Sequence, residues 1–165
     1  MTDQQNNFVE YPYRIHSATT EAELTELYEQ RWQVLRQPLG QARGTERDRH
    51  DDHPQTCHAI AIYKPSTPQQ IVGSARLRQL STELGSIAYL AVLPQFQRQG
   101  IGSGLVRYLT EIAQQRNCQR LRVMSRVTAI HFYQKLGFVP NAEPFDYLEI
   151  PHQFLYLNLL SERRL

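Results

Sequence analysis

The chain sets short apolar runs against three stretches with helical spacing. Thr20-Glu21-Ala22-Glu23 has the form of a capping box. Behind it Leu24, Leu27, Tyr28, Arg31 and Leu35 recur with a helical period. This predicts a first helix that stops before Pro38, because the residue ahead of a proline is driven out of helical geometry. A second helix is predicted over residues 102–115, with Leu105, Tyr108, Leu109 and Ile112 on one face. A short third is predicted over 128–136. Strands are expected at 11–16, 57–63, 71–80, 87–93 and 120–125, then at Phe138, 147–150 and 154–160. Turns at 65–70 and 82–85 join the early strands as hairpins, while helices separate the later ones. The expectation is an α/β protein built on a mixed sheet flanked by helices.

Residues 1–10 are polar and read as a flexible terminus. Residues 11–165 read as one domain, large enough for a substantial core. Between the first helix and the second strand, residues 36–54 form a long polar loop, with seven charged residues from Arg43 to Asp52. Glu46, Asp48, Asp51 and Asp52 there are offset by Arg43, Arg47 and Arg49, so the loop reads as a solvated charge cluster.

Composition narrows the partners. A net charge of +2 is too small to point to nucleic acid or an anionic membrane surface, and no basic stripe is present. The basic residues are strongly biased, with 16 Arg and two Lys. Cys57 and Cys118 lie in apolar, strand-like surroundings and read as free and buried, which suits a reducing compartment. Met1 to Asn7 is polar, without the apolar core of a leader. No run approaches the roughly 18 apolar residues of a membrane span. A cytoplasmic protein is expected.

The candidate chemistry centres on Leu90-Ala91-Val92-Leu93-Pro94-Gln95-Phe96-Gln97-Arg98-Gln99-Gly100-Ile101-Gly102-Ser103-Gly104-Leu105. A buried strand ends at Pro94 and a Gly-rich turn opens a helix. Such a turn aims several backbone N–H groups in one direction, and the helix dipole adds positive potential there, which makes a seat for a phosphate or pyrophosphate. No Lys follows, as a Walker loop requires, and the glycine spacing is not that of the dinucleotide fingerprint. Downstream stands Ala129-Ile130-His131-Phe132-Tyr133-Gln134-Lys135-Leu136-Gly137-Phe138. It reads as a short helix ended by Gly137, before an apolar run. Taken alone, Phe132, Tyr133 and Leu136 are equally a plain core face.

Together the Gln97-x-x-Gly100-x-Gly102 turn and the Ala129…Phe132-Tyr133…Gly137-Phe138 segment resemble the two signatures of the GNAT superfamily of N-acetyltransferases. The resemblance covers residues 55–160. It implies the GNAT acyltransferase fold, a mixed, twisted sheet splayed near its middle, with acetyl-CoA as cosubstrate and no metal. It implies transfer of an acetyl group to a primary amine of a small molecule or peptide by direct attack. Leu90, Ala91 and Val92 would pair with the pantetheine amides through their backbone, and an N–H there would serve the thioester oxygen. The amides of Gln97, Arg98, Gln99, Gly100, Ile101, Gly102 and Ser103 would take the pyrophosphate. Tyr133 occupies the position of the general acid, and an ordinary phenol is protonated at pH 7.

Two positions depart from the family. Arg126 stands where an Asn is frequent; it would contact the cofactor phosphates or only solvent. Ser86 stands where studied members carry a Glu base, and serine cannot deprotonate an ammonium. The remaining candidates for a base are Glu83, His53 and His58. Ile150-Pro151-His152 loosely resembles the ElaA-like branch; His152 either lines the acceptor pocket or anchors a turn. The altered positions keep open a rival reading, a non-catalytic module that binds or senses acyl-CoA. Family members commonly pair, so a homodimer is a further expectation.

Overall fold

A computed structural model describes residues 11–160. The flexible terminus expected at 1–10 lies outside the described residues, as do positions 161–165. The strands are β1 (Tyr13–Ser17), β2 (Cys57–Tyr63), β3 (Gln70–Gln79), β4 (Leu84–Val92), β5 (Arg120–Arg126), β6 (Val139–Pro140), β7 (Phe145–Tyr147) and β8 (Ile150–Asn158). The helices are α1 (Glu21–Leu35), α2 (Ile101–Gln115) and α3 (Ile130–Lys135). All eight strands form one mixed sheet in the order β1-β2-β3-β4-β5-β8-β6, with β7 also on β8. β1 to β4 run antiparallel, β4 and β5 are parallel, and β5 and β8 are antiparallel.

Local chemistry sets the element ends. The capping box is present: Glu23 N–H donates to Thr20 Oγ1 at 3.2 Å, and Thr20 N–H donates to Glu23 Oε2 at 3.1 Å. α1 ends at Leu35 before the turn at Pro38. α2 buries Leu105, Val106, Leu109 and Ala113 against the face of the sheet that carries Leu77, Ile87, Val123 and Leu155. A smaller cluster of Leu27, Tyr28, Ile60, Ile62 and Ile71 fills the opposite face under α1. Cys57 and Cys118 are free and buried, as expected. No helix among the described residues is long and apolar enough to cross a membrane.

Two expectations change. Residues 147–150 were expected as a strand, yet Tyr147 pairs with Ile150 across a two-residue hairpin. Leu148 and Glu149 both sit at positive φ, 51° and 61°. That backbone is the one a tight hairpin needs, but it normally falls to Asn or Gly, so the turn carried no sequence signal. The second change concerns the 36–54 loop, which is not a solvated charge cluster. Asp51 and Glu46 are buried. Arg31 of α1, fully buried, donates to Asp51 Oδ1 at 3.0 Å and to the Glu46 carbonyl at 3.1 Å. Arg76 of β3 donates to the same Asp51 oxygen at 3.1 Å and to Asp48 Oδ1 at 2.8 Å. The loop folds inward because two buried guanidinium groups need carboxylates, and an unpaired buried charge is far costlier than a paired one.

Asp51→Ala should therefore lower the unfolding free energy by about 3–5 kcal/mol, the usual loss when one member of a buried ion pair is removed. Urea denaturation measures it. A loss near that of an exposed surface pair would mean that the clamp contributes little.

Candidate active site

β4 and β5 pair only from Leu84 with Arg120 to Ile87 with Val123. Beyond that pair they part. β5 continues through Met124, Ser125 and Arg126 along β8 alone, and β4 continues to Val92 along β3 alone. The backbone of 88–92 thus faces an open fork on its β5 side.

β4 carries a bulge at the fork. Ser74 pairs with Ala91 but Arg76 pairs with Ala88, so one residue of β3, Ala75, opposes two of β4, Tyr89 and Leu90. Tyr89, inside the bulge, adopts φ 53°. Its hydroxyl donates to Asp48 Oδ2 at 3.2 Å, and its ring is stacked by the guanidinium groups of Arg31 at 4.4 Å and Arg76 at 4.6 Å. Gln30 of α1 secures the strand from the same side, donating to the Ala91 carbonyl at 3.1 Å and accepting from Ser74 Oγ at 2.6 Å. None of these contacts was legible in the sequence, since each joins positions distant in the chain and no local pattern marks a bulge.

The turn after β4 brings the predicted binding residues together. Gln97 Nε2 donates to the Val92 carbonyl at 3.0 Å, which ties the turn to the end of β4. Arg98 at φ 61° and Gly100 at φ 83° both take left-handed backbone, a curl of the kind that gathers N–H groups into an anion-binding concavity. α2 then begins with no side-chain cap. Gln97, Arg98, Gln99 and Gly100 are exposed, whereas the Ile101 side chain is buried in the core and leaves only its backbone to the turn. Leu90 and Val92 pack on the α2 side of the sheet. A Cβ on Gly102 would lie 3.4 Å from Phe132 Cζ and 3.8 Å from Val92 Cγ2. The end of β4, the start of α2 and α3 therefore converge at one place.

Tyr133 is buried beside this junction, its ring edge-on to Phe132 and Phe138 at 4.9 and 5.7 Å. Its hydroxyl hydrogen-bonds no described residue. Burial pushes its pKa up to about 12, so the phenol keeps its proton throughout the neutral range.

The other candidates fall elsewhere. In the alternation of β5, Arg126 follows Arg122 and Met124 on the face away from α2, level with His152. That placement lends no support to a phosphate contact. Glu83 precedes β4 at the end remote from the fork and accepts from Gln119 Nε2 at 3.0 Å. His53 is exposed, and its Nδ1 accepts from the Gln55 N–H; the Gln55 carbonyl in turn accepts from Arg116, beyond the far end of α2. His58 is buried with both ring nitrogens engaged, Nδ1 accepting from Arg31 at 3.3 Å and Nε2 donating to the Asp51 carbonyl at 2.9 Å. None of the three faces the fork. His152 is buried, its Nδ1 2.7 Å from the Ile150 carbonyl and its ring against Phe145 and Tyr147, so it anchors the β7–β8 hairpin.

The clamp predicts a pH dependence. Burial holds His58 neutral, with its pKa lowered, while an unfolded His takes up its proton near pH 6.5. Burial raises the Asp48 carboxyl, but hydrogen bonds from Arg76, the His50 N–H and Tyr89 outweigh it and hold it at about 2. Both groups thus bind protons more readily in the unfolded chain. Stability should be complete above pH 6.5, decline below it as unfolded His protonates, and fall further below pH 3.8. Urea midpoints from pH 8 down to about pH 2.5 measure this. His58→Gln, which can keep both hydrogen bonds, should flatten the first decline; an unaltered slope would remove His58 as its source.

The family model described as "Acetyltransferase (GNAT) family" matches residues 21–138. An uncharacterized N-acetyltransferase of Escherichia coli (strain K12), YedL, is 30% identical over 129 residues, covering 68% of this chain and 80% of its own. Among solved structures, Escherichia coli ElaA superposes with a TM-score of 0.74 at 17% identity, covering 87% of this chain and 97% of its own. A GNAT family acetyltransferase from Elizabethkingia anophelis, solved with acetyl-CoA bound, superposes with a TM-score of 0.66 at 19% identity, covering 91% and 100%. At those identities the two structures establish the fold.

Proposed function

The chain belongs to the GNAT family of acetyltransferases, and from that premise we propose that it transfers an acetyl group from acetyl-CoA to a primary amine, by direct attack. The observation that carries this reading is the β4–β5 fork, which opens beside an uncapped helix start curled by two left-handed residues. The acetyl-CoA in the Elizabethkingia relative supports the same donor.

The residues present fit that donor. The free backbone edge at Leu90, Ala91 and Val92 suits strand-like pairing with the pantetheine amides. The amides from Gln97 to Ser103 suit the pyrophosphate. When bound, the thioester supplies an electrophilic carbonyl and a thiolate leaving group, the amine losing one proton and the sulfur gaining one. An N–H of β4 at the fork would donate to the developing oxyanion. Tyr133 keeps its proton on Oη at neutral pH and would give it to the departing sulfur. The rings of Phe132 and Phe138 pack edge-on against Tyr133 and hold its ring in place.

Ser86 favours a second reading, a module that binds acetyl-CoA without turnover. Release of CoA thiol over a panel of amines separates the two.

Calorimetric titration should give micromolar binding of acetyl-CoA. Gly102→Trp should weaken it at least tenfold while the thermal transition is retained, since a side chain there meets Phe132 and Val92. No binding by the wild type would end the transferase reading. Tyr133→Phe keeps the ring packing and should lower kcat by about 10²–10⁴-fold, the usual contribution of a general acid, with acetyl-CoA affinity within about twofold. Equal kcat would remove Tyr133 as the acid.

A further inference from the structure

The strand register places three side chains in one row under the fork. Arg78 of β3 pairs with Ser86 of β4, and Ser86 pairs with Arg122 of β5. Directly paired residues share a face of the sheet. With neighbouring strands about 4.8 Å apart, the two arginines stand one on each side of Ser86. The face is the α1 side, because Ser74 and Arg76, which alternate with Arg78 along β3, bond to Gln30 of α1 and to Asp48 and Asp51 of its following loop. Ser86 and Arg122 form the last pair on that face before β4 and β5 separate beyond Ile87 and Val123. α2 fills the other face with core. Past β4 the α1 face is open, with Met124 of β5 exposed.

Among the described residues these cations have no carboxylate partner. The acids of the neighbouring loop are engaged elsewhere: Asp48 and Asp51 with Arg76 and Arg31, Asp52 with Arg47, and the buried Glu46 carboxylate with the Gly44 N–H. Among the described residues neither Arg78 nor Arg122 forms an ion pair. Arg122 lies over the Phe154 ring at 4.7 Å. Burial and then the Arg76 charge lower the Arg78 pKa, with Arg122 and Arg49 adding to the effect and Asp48 opposing it. A cationic acceptor approaching the fork from this face meets the repulsion of Arg78 and Arg122, which Asp48, held by Arg76 and Tyr89, opposes in part.

We propose that the acceptor amine also carries an anionic group, a carboxylate or a phosphate, and that Arg78 and Arg122 bind it on either side of Ser86. This rests on the transferase reading above. Guanidinium groups suit both oxyanions because their planar fork offers paired N–H donors. The same positive field disfavours an ammonium form of the acceptor and so favours the neutral amine that attacks. Arg78 and Arg122 are thus specificity residues, and they stand around the position where the family's carboxylate base is replaced by Ser86.

Initial rates with acetyl-CoA test this on matched pairs: L-amino acids against their carboxamides, and O-phosphoethanolamine against ethanolamine. The anionic member of at least one pair should have the higher kcat/KM, at least tenfold, and the favoured pair distinguishes carboxylate from phosphate. Arg122→Ala should raise KM for that anionic member at least tenfold, Arg122→Lys should restore part of the loss, and Arg122→Glu should shift preference to the uncharged member. Arg78→Ala should act in the same direction, with each variant's melting temperature confirming a folded protein. Wild-type protein that binds acetyl-CoA but prefers the uncharged members, or takes neither pair, overturns the inference and leaves the family reading standing. Failure to bind acetyl-CoA brings down the transferase reading, and the inference falls with it.

Discussion

The separation of β4 from β5 is the constraint on which the site depends, and it needs active support. Two parallel strands in register would ordinarily continue pairing, since unpaired backbone groups cost free energy when buried. Here they stop after Ile87 and Val123. An extra residue in the bulge bends β4 away. Tyr89 in that bulge is locked between two guanidinium groups and Asp48, and the next stretch is held by Gln30 on the Ala91 carbonyl. The positive φ at Tyr89 is a local cost that these contacts offset.

The clamp is a balanced charge cluster. Arg31 and Arg76 face Asp48 and Asp51, and His58 is kept neutral between them. Burial lowers the Arg31 pKa while Asp51 opposes that, and for Arg76 the two carboxylates outweigh burial. Among the described residues Nε of Arg31 and of Arg76 has no partner, so the cluster is satisfied mainly at its terminal nitrogens. Such clusters contribute more to fixing one arrangement than to net stability, because desolvation consumes much of the Coulomb gain. What this one fixes is the course of a long polar loop and the bend of β4, two features that local propensity would leave undetermined.

That division explains what the sequence revealed. The helices were readable because a capping box and an apolar stripe are local. The Gly-rich turn and the Phe132-Tyr133 segment were readable because each is contiguous, and the structure brings both to the end of β4. The buried role of Asp51 was not readable. A loop with acids and bases interspersed looks solvated until the fold supplies Arg31 and Arg76 from elements 20 and 25 residues away. His58 and Glu83 were reasonable bases by residue type, yet position removed both, since one is sealed in the clamp and the other lies at the wrong end of β4. The hairpin at Leu148 and Glu149 escaped because its residues are not those that usually accept positive φ.

A serine at 86 changes what the α1 face beside the fork can do chemically. A carboxylate at that place would attract an ammonium, pair with Arg78 or Arg122, and accept a proton. Serine does none of these. The two arginines beside it are then left to act on whatever binds over them, and their field lowers the proton affinity of an amine instead of extracting its proton. A serine at 86 and the arginines beside it are therefore consistent with the proposed acceptor, which would arrive with its own negative charge and lose its proton to solvent. The clamp below keeps the neighbouring carboxylates committed, so the row of Arg78, Ser86 and Arg122 remains a positive surface.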